Sequence, residues 1–384
     1  MPHYYRQGDI PSKRHTQFRN KEGVLYSEEL VSTEGFDNIY SLVYHCHPPT
    51  LIKEIGQTRD VRPEIAVDEH IAHRKFFGFN LDFGPNFIAD RIPLMVNNDV
   101  QISMASPKES MVDEYFKNST ADEVVFIHHG EGVMHSIYGE LPFKPGDYLV
   151  IPRGTIYQMR WTTKENKCLI IESSGPIVTP KRYRNQFGQH LEHSPFCERD
   201  FRKPQHRATH NQKGEFVISI KKNGFIYDVV YASHPFDAIG WDGYLYPYAF
   251  SIHDFEPITG RVHQPPPVHQ TFSGRNFVIC SFVPRLYDYH PEGIPAPYNH
   301  SNVDSDEVLY YVESKFMSRN DVVEGMLTLH PLGVPHGPHQ TAVENSIGKK
   351  GTEELAVMVD TFHPLKLTKQ ALSIEDAGYH KSWM

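Results

Sequence analysis

Cysteine is scarce in this chain: 384 residues hold four, Cys46, Cys168, Cys197 and Cys280, and no CxxC pair. That excludes a disulfide framework and a thiolate metal knuckle, and a chain of this length needs neither to fold, so a reducing cytoplasm is the expected compartment. Basic excess is also missing. Lys plus Arg number 38 against 47 Asp plus Glu, a formal charge of −9, which argues against nucleic acid or an anionic membrane as partner. No apolar run approaches the roughly 20 residues that cross a bilayer. The opening stretch MPHYYRQGDIPSKRH has no signal-like apolar core. Helical patterning is sparse, and residues 180–202 are too interrupted to read as a helix.

What is plentiful is histidine (24), proline (29), glycine (26) and aromatic residues, 23 Phe and 21 Tyr among them. The apolar content supports a sizeable packed core. Proline and glycine separate short β-branched and aromatic runs such as Glu123–Ile127, Tyr148–Ile151, Phe216–Ile220, Phe277–Val283, Val308–Val312 and Leu355–Val359. Runs of that length and composition between turn residues read as strands. The fold class expected is therefore all-β, a sandwich or barrel with irregular connections.

An internal repeat sharpens this. Asp122-Glu123-Val124-Val125 is echoed by Asp306-Glu307-Val308-Leu309. Downstream, Gly146, Pro152, Gly154 and Tyr157 have the same spacing as Gly325, Pro331, Gly333 and His336. The physical reading is a strand, a Pro-x-Gly turn, and an inward-facing residue that starts the next strand. In the second copy, His300-Ser-Asn302 with Glu307, then Pro331-Leu-Gly333-Val-Pro-His336, resembles the paired segments of the cupin superfamily, HxHx(3,4)E and PxGxxH, with Asn302 in place of the second His. In the first copy Phe116, Asn118 and Tyr157 stand at the positions of His300, Asn302 and His336, and Glu123 alone keeps ligand chemistry. The resemblance implies a bicupin, two double-stranded β-helix (jelly-roll) barrels. The N-terminal domain, residues 1–275, would include a degenerate, metal-free barrel at about 110–180, and residues 276–384 would form the metal-binding barrel and tail.

His300, Glu307 and His336 make a two-histidine, one-carboxylate set with open coordination positions, the pattern of non-haem iron(II) oxygenases. Three such ligands also suit catalytic zinc, and ligand chemistry alone does not separate Fe, Zn, Mn and Ni. Other clustered histidines, His45 with His47 and His128 with His129, lie beside proline or glycine, where imidazoles commonly hydrogen-bond or stay solvated; they receive no role from sequence.

Several stretches resemble the homogentisate 1,2-dioxygenase family. Gly23-Val-Leu-Tyr-Ser-Glu-Glu-Leu30 is similar to its G-LYAEQL segment, Phe282-Val-Pro-Arg285 to FPPR, Pro297-Tyr-Asn-His300 with Asn302 and Glu307 to PYYHRN…SE, and Leu329-His330 with Pro335-His336-Gly337-Pro338 to LH…PHGP. The likeness covers most of the chain and is weak between residues 180 and 250. It implies Fe(2+) held by His300, Glu307 and His336, with His330 in the substrate pocket or behind the ligands. It also implies a catalytic histidine in a His-x-x-Pro segment, best fitted by His263-Gln-Pro-Pro, with His269 as a substitute and substrate contact. The family's substrate-contacting Tyr nine residues after the metal Glu is Phe316 here, so Tyr310 or Tyr311 is expected to compensate; Tyr311 is the assigned substrate contact.

The implied reaction is ring cleavage of homogentisate by O2 to maleylacetoacetate, in tyrosine and phenylalanine catabolism. The implied partners are a small aromatic acid and O2, in a trimer or hexamer. Other readings are a related cupin dioxygenase for gentisate-like acids, a zinc bicupin sugar-phosphate isomerase, and a non-catalytic ligand-binding or storage bicupin. The isomerase would need a Lys/Arg phosphate cluster, which residues 300–340 lack.

Overall fold

Alternation along two strands decides how the layers stack. In Asp122–His129, Val125 and Ile127 point into one core with Phe116, Met134, Leu149 and Tyr157, while Val124 and Phe126 point the opposite way. In Asp306–Tyr311, Val308 and Tyr310 join Val124 and Phe126, whereas Leu309 and Tyr311 turn toward Cys280, Met326 and Met358. Because side chains alternate with period two, each strand serves two cores and lies inside a stack of sheets.

The computed structural model describes residues 3–205, 208–319 and 321–384. A seven-stranded sheet containing Tyr115–Asn118, Gly132–Ser136, Gly139–Phe143 and Ile156–Trp161 faces an eight-stranded sheet containing Val100–Ala105, Asp122–His129, Asp147–Ile151 and Lys167–Ser173. Together they close the first barrel. The back of the eight-stranded sheet packs on a six-stranded sheet built from Gln270–Gly274, Phe277–Phe282, Ala356–Thr361, Asp306–Tyr311, Met326–His330 and Arg74–Phe77. The architecture is an all-β bicupin. Opposite the six-stranded sheet, the second barrel has, among the described residues, the pair Arg285–Leu286 and Gly351–Thr352 and a bridge between His300 and His336, so that side is largely loop and stays open. Among the described residues the α-helices are short, Gln340–Ser346 and Lys369–Ser373, and no helix is long and apolar enough to cross a membrane.

The repeat seen in sequence is a repeat of register. Glu123 pairs with Ile151 on one side and Glu172 on the other; Glu307 pairs likewise with His330 and Asp360. Phe116 pairs with Tyr157 as His300 does with His336. Asp122 accepts from the backbone N–H groups of Arg153 and Ile177, and Asp306 from those of Leu332 and Leu365, so each aspartate ties two chain reversals to its barrel. Gly154 and Gly333 both occupy the left-handed region, at φ +82° and +85°, which the Pro-x-Gly turn requires.

Sheet membership does not follow a single cut at residue 275, which lies in the turn between Gln270–Gly274 and Phe277–Phe282. Arg74–Phe77 forms the edge of the second barrel's sheet, and Lys366–Leu367 forms the edge of the first barrel's sheet. Arg74, buried, anchors this exchange through Glu375 at 2.7 Å and Asp68 at 2.5 Å. Each strand covers an edge that would otherwise present unpaired backbone groups.

Candidate metal centre

His300 and His336 are set side by side by backbone bonds before their rings interact. His300 N–H donates to the His336 carbonyl at 2.8 Å, the reverse bond is 2.9 Å, and the ring centroids lie 4.2 Å apart. Glu307 projects from the adjoining strand toward them. Its Oε2 is 3.6 Å from His300 Nε2 and 3.3 Å from His336 Nε2, and one donor atom from each of the three residues lies within 4.8 Å of the others. Both ring nitrogens of His336 are buried; Nδ1 has no partner, and Nε2 has the 3.3 Å approach to Glu307 without hydrogen-bond geometry. An unpaired buried imidazole is costly, and a cation between it and Glu307 would satisfy it. The donor set fits a divalent metal.

The electrostatics favour an ionised Glu307. Burial alone would raise its pKa, but contacts with His300, His330 and His336 hold the carboxyl well below its usual range. His300 is raised by its contact with Glu307, against burial. His330 is pushed down to about 3, chiefly by burial, and is therefore neutral. Its Nε2 faces Arg319 Nη2 at 3.4 Å and its Nδ1 lies 2.7 Å from Glu307 Oε1. A guanidinium only donates, so Nε2 accepts, and Nδ1 carries the proton and donates to Glu307. This is the outer-shell orientation that keeps a ligand carboxylate in place. Arg319 is itself held by Tyr379 Oη at 3.1 Å, by the carbonyls of Ser318 and Gly337, and by the Trp383 ring 5.0 Å away.

The three donors open into a cavity of about 300 Å³ whose walls include Leu309, Met358, Phe316, Tyr298, Arg285 and Asp360. His263 and His269 both line it. His263 is half-exposed, its Nδ1 3.8 Å from Asp288, and its ring stands 5.1 Å from Tyr298. His269 lies against Phe282 with an unpartnered buried Nδ1; burial, then Arg285, pushes its pKa down to about 3. Two expected substrate contacts fall outside the cavity wall. Tyr311 is sealed behind Phe316 with its hydroxyl 3.2 Å from Thr328 Oγ1, and His330 sits fully buried behind Glu307. Tyr310 faces the other way and bonds His128 at 2.7 Å. The alternation of the strand puts Leu309 on the wall and Tyr310 on the opposite face, while Tyr311, on the face of Leu309, lies behind Phe316.

The sister position in the first barrel explains itself. Arg91 inserts its guanidinium where the second barrel brings imidazoles to Glu307. It contacts Glu123, reaches Glu172 at 3.2 Å, and donates to Tyr157 Oη at 2.9 Å, while Tyr157 donates to Glu123 at 2.7 Å. A permanent side-chain cation thus balances the carboxylates, and Phe116 and Tyr157 supply no ligand nitrogen. His45, one of the unassigned histidines, is buried between Asp237 at 2.7 Å and Glu29 at 3.0 Å and serves as an ion-pair centre.

Comparison with known proteins points to a dioxygenase. A family profile described as homogentisate 1,2-dioxygenase N-terminal matches residues 85–252. Over 386 residues the chain is 42% identical to a "putative dioxygenase" of Saccharolobus solfataricus, covering 100% of this chain and 99% of that protein. The chain belongs to the homogentisate 1,2-dioxygenase family. Within that family it is 27% identical over 279 residues to homogentisate 1,2-dioxygenase of Legionella pneumophila, covering 68% of this chain and 65% of that enzyme. Against the enzyme of Rhizobium etli it is 24% identical over 285 residues, covering 70% and 61%. The alignments thus span less than two thirds of these homogentisate dioxygenases. Bacillus subtilis oxalate decarboxylase, at 11% identity over 77% of this chain and 78% of that one, superposes with a TM-score of only 0.36, too low to add to the sheet pairings.

For this homogentisate dioxygenase family member, sequence reasoning missed Arg319, Asp360 and Arg91. Arg319 and Arg91 belong to no motif. Asp360 had a signal: it pairs with Glu307 as Glu172 pairs with Glu123, so extending the repeat by one strand would have found it.

Proposed function

We propose that this chain is an iron(II)-dependent ring-cleaving dioxygenase that converts homogentisate and O2 to maleylacetoacetate, with His300, Glu307 and His336 as metal ligands. The observation that carries the reading is the convergence of two imidazoles and an ionised carboxylate, with no hydrogen bond formed at His336 Nε2, at the floor of an open, largely apolar cavity. Iron bound there would supply a template for substrate and O2 and a redox link between them. The protein's own contribution is arrangement. The neutral His330, with its tautomer set by Arg319, orients Glu307; Phe316, Leu309 and Met358 exclude water from the face of an aromatic ring. His263, at the rim beside Asp288, is the proposed base for a phenolic proton, a role typically worth about 10²–10⁴-fold. His269, kept neutral by burial, is better suited to hydrogen-bond a substrate oxygen.

A second reading keeps the metal site and changes the substrate to a gentisate-like aromatic acid. Phe316 on the cavity wall favours it, because the hydroxyl expected there is absent and neither Tyr310 nor Tyr311 replaces it.

The test is anaerobic reconstitution with iron(II), metal analysis, and O2 uptake with homogentisate and gentisate in parallel. Iron bound with uptake on homogentisate supports the first reading; uptake on gentisate alone moves the assignment to the second; failure to retain iron removes both. His300→Ala is expected to lose the metal. His263→Ala should keep it and lose turnover, and full activity in that variant would take the base role away from His263.

A further inference from the structure

Two adjacent histidines converge with a carboxylate from the other barrel, on the far side of the second barrel's sheet from the cavity. His128 and His129 end the strand Asp122–His129 where its neighbour slips register between Lys167 and Cys168. Successive strand residues ordinarily face opposite ways, yet these two rings lie 4.3 Å apart. Glu324, in the turn before Met326–His330, places Oε2 3.8 Å from His129 Nε2. Donor atoms of His128, His129 and Glu324 all lie within 4.8 Å of one another. We propose that these three residues form a second metal site, for a divalent transition ion of the zinc or nickel class, which staples the first barrel to the sheet that carries Glu307.

The surroundings are those of a ligand site. His128 Nδ1 is engaged by the Tyr310 hydroxyl at 2.7 Å, which fixes the ring and leaves Nε2 as its donor; metal-binding histidines are oriented in this way. Tyr310 comes from the second barrel, so the orienting bond already crosses the interface. Phe79 packs against both rings, at 5.0 and 5.9 Å, and the turn at Gly325 presses on it, since a Cβ there would stand 2.3 Å from Phe79 Cδ1. Two imidazoles, one carboxylate and a water make a four-coordinate zinc set. Zinc bonds near 2 Å would draw the donors to about 3.4 Å apart. His129 and Glu324, 46% and 51% exposed, can make that adjustment by side-chain rotation. One group opposes the ion: the Lys167 ammonium, held over the rings of Phe79 at 5.1 Å and Phe83 at 4.3 Å. It weakens the site without blocking the donors.

The probe is zinc, titrated into chelator-stripped full-length protein and read by equilibrium dialysis and melting temperature. Wild type should take up two equivalents and Glu324→Gln or His129→Gln one. With the first site silenced by His336→Ala, one equivalent should remain and raise the melting temperature. Adding Glu324→Gln to that variant should weaken binding at least on the order of 10–100-fold, the loss that even outer-shell changes produce, and abolish the thermal shift. Unaltered uptake in Glu324→Gln, or no uptake once His336→Ala has silenced the first site, overturns the proposal. Either result leaves the His300–Glu307–His336 reading untouched.

Discussion

Replacing Arg91 by methionine would strand a buried carboxylate. Glu123 is 1% exposed and Glu172 6%, and the guanidinium is the cation between them. Glu172 keeps Lys221 Nζ at 2.6 and 2.9 Å, and among the described residues Glu123 keeps the Tyr157 hydroxyl and a long contact from Asn118, with no cation. Removing one partner of a buried pair costs about 3–5 kcal/mol. Because Lys221 protects Glu172, the lower end, about 3 kcal/mol, is expected here, with methionine replacing much of the arginine stem. The assay is calorimetric or denaturant unfolding of wild type, Arg91→Met, and Arg91→Met with Glu123→Gln. The single variant should lose several degrees of melting temperature and the double variant should recover most of it, because a neutral amide needs no counter-charge. Neither should acquire a metal in the first barrel, since Phe116 and Tyr157 offer no nitrogen. An unchanged single variant, or a double variant no better than the single, would refute the view that Arg91 stands in for the ion.

Other outcomes are equally open to measurement. Burial opposes charge on His45, but hydrogen bonds to Asp237 and Glu29 win and raise its pKa from 6.5 to about 9. A raised folded-state pKa adds stability that is complete below pH 6.5 and lost as pH climbs through 9. His45→Gln should therefore flatten the fall in melting temperature across that window, and an unaltered slope would remove His45 as its source. Arg319→Met frees the His330 tautomer, so affinity at the His300–Glu307–His336 site should drop roughly 10–100-fold with the fold intact by circular dichroism; equal affinity would free Arg319 of that role. Phe316→Tyr adds a hydroxyl to the cavity wall. One hydrogen bond of about 0.5–1.5 kcal/mol should lower KM for a hydroxylated aromatic acid by roughly 2–10-fold, and an unchanged KM would place the substrate elsewhere.

Local spacing carried a good part of this protein. Short β-branched runs between turn residues gave away the all-β class, and the Pro-x-Gly repeat, copied from 152–154 to 331–333, gave away two copies of one unit; the resemblance of the second copy to cupins implied two barrels and the meeting of His300, Glu307 and His336. These features are legible because they are set by alternation and turn conformation within about 40 residues of chain. Tertiary structure decided what lies beyond that range. Arg74–Phe77 and Lys366–Leu367 change barrels because each finds an open sheet edge far along the chain. Arg319 reaches His330 only after Tyr379 and Trp383 fold over it, and Arg91 reaches Glu123 only when the first barrel closes. Tyr311, promising by residue type, shares a strand face with Leu309 but fails as a wall residue because the ring of Phe316 covers it. Chain spacing could bring the metal donors together, but which cations, tautomers and rings surround them depends on contacts that no local pattern encodes.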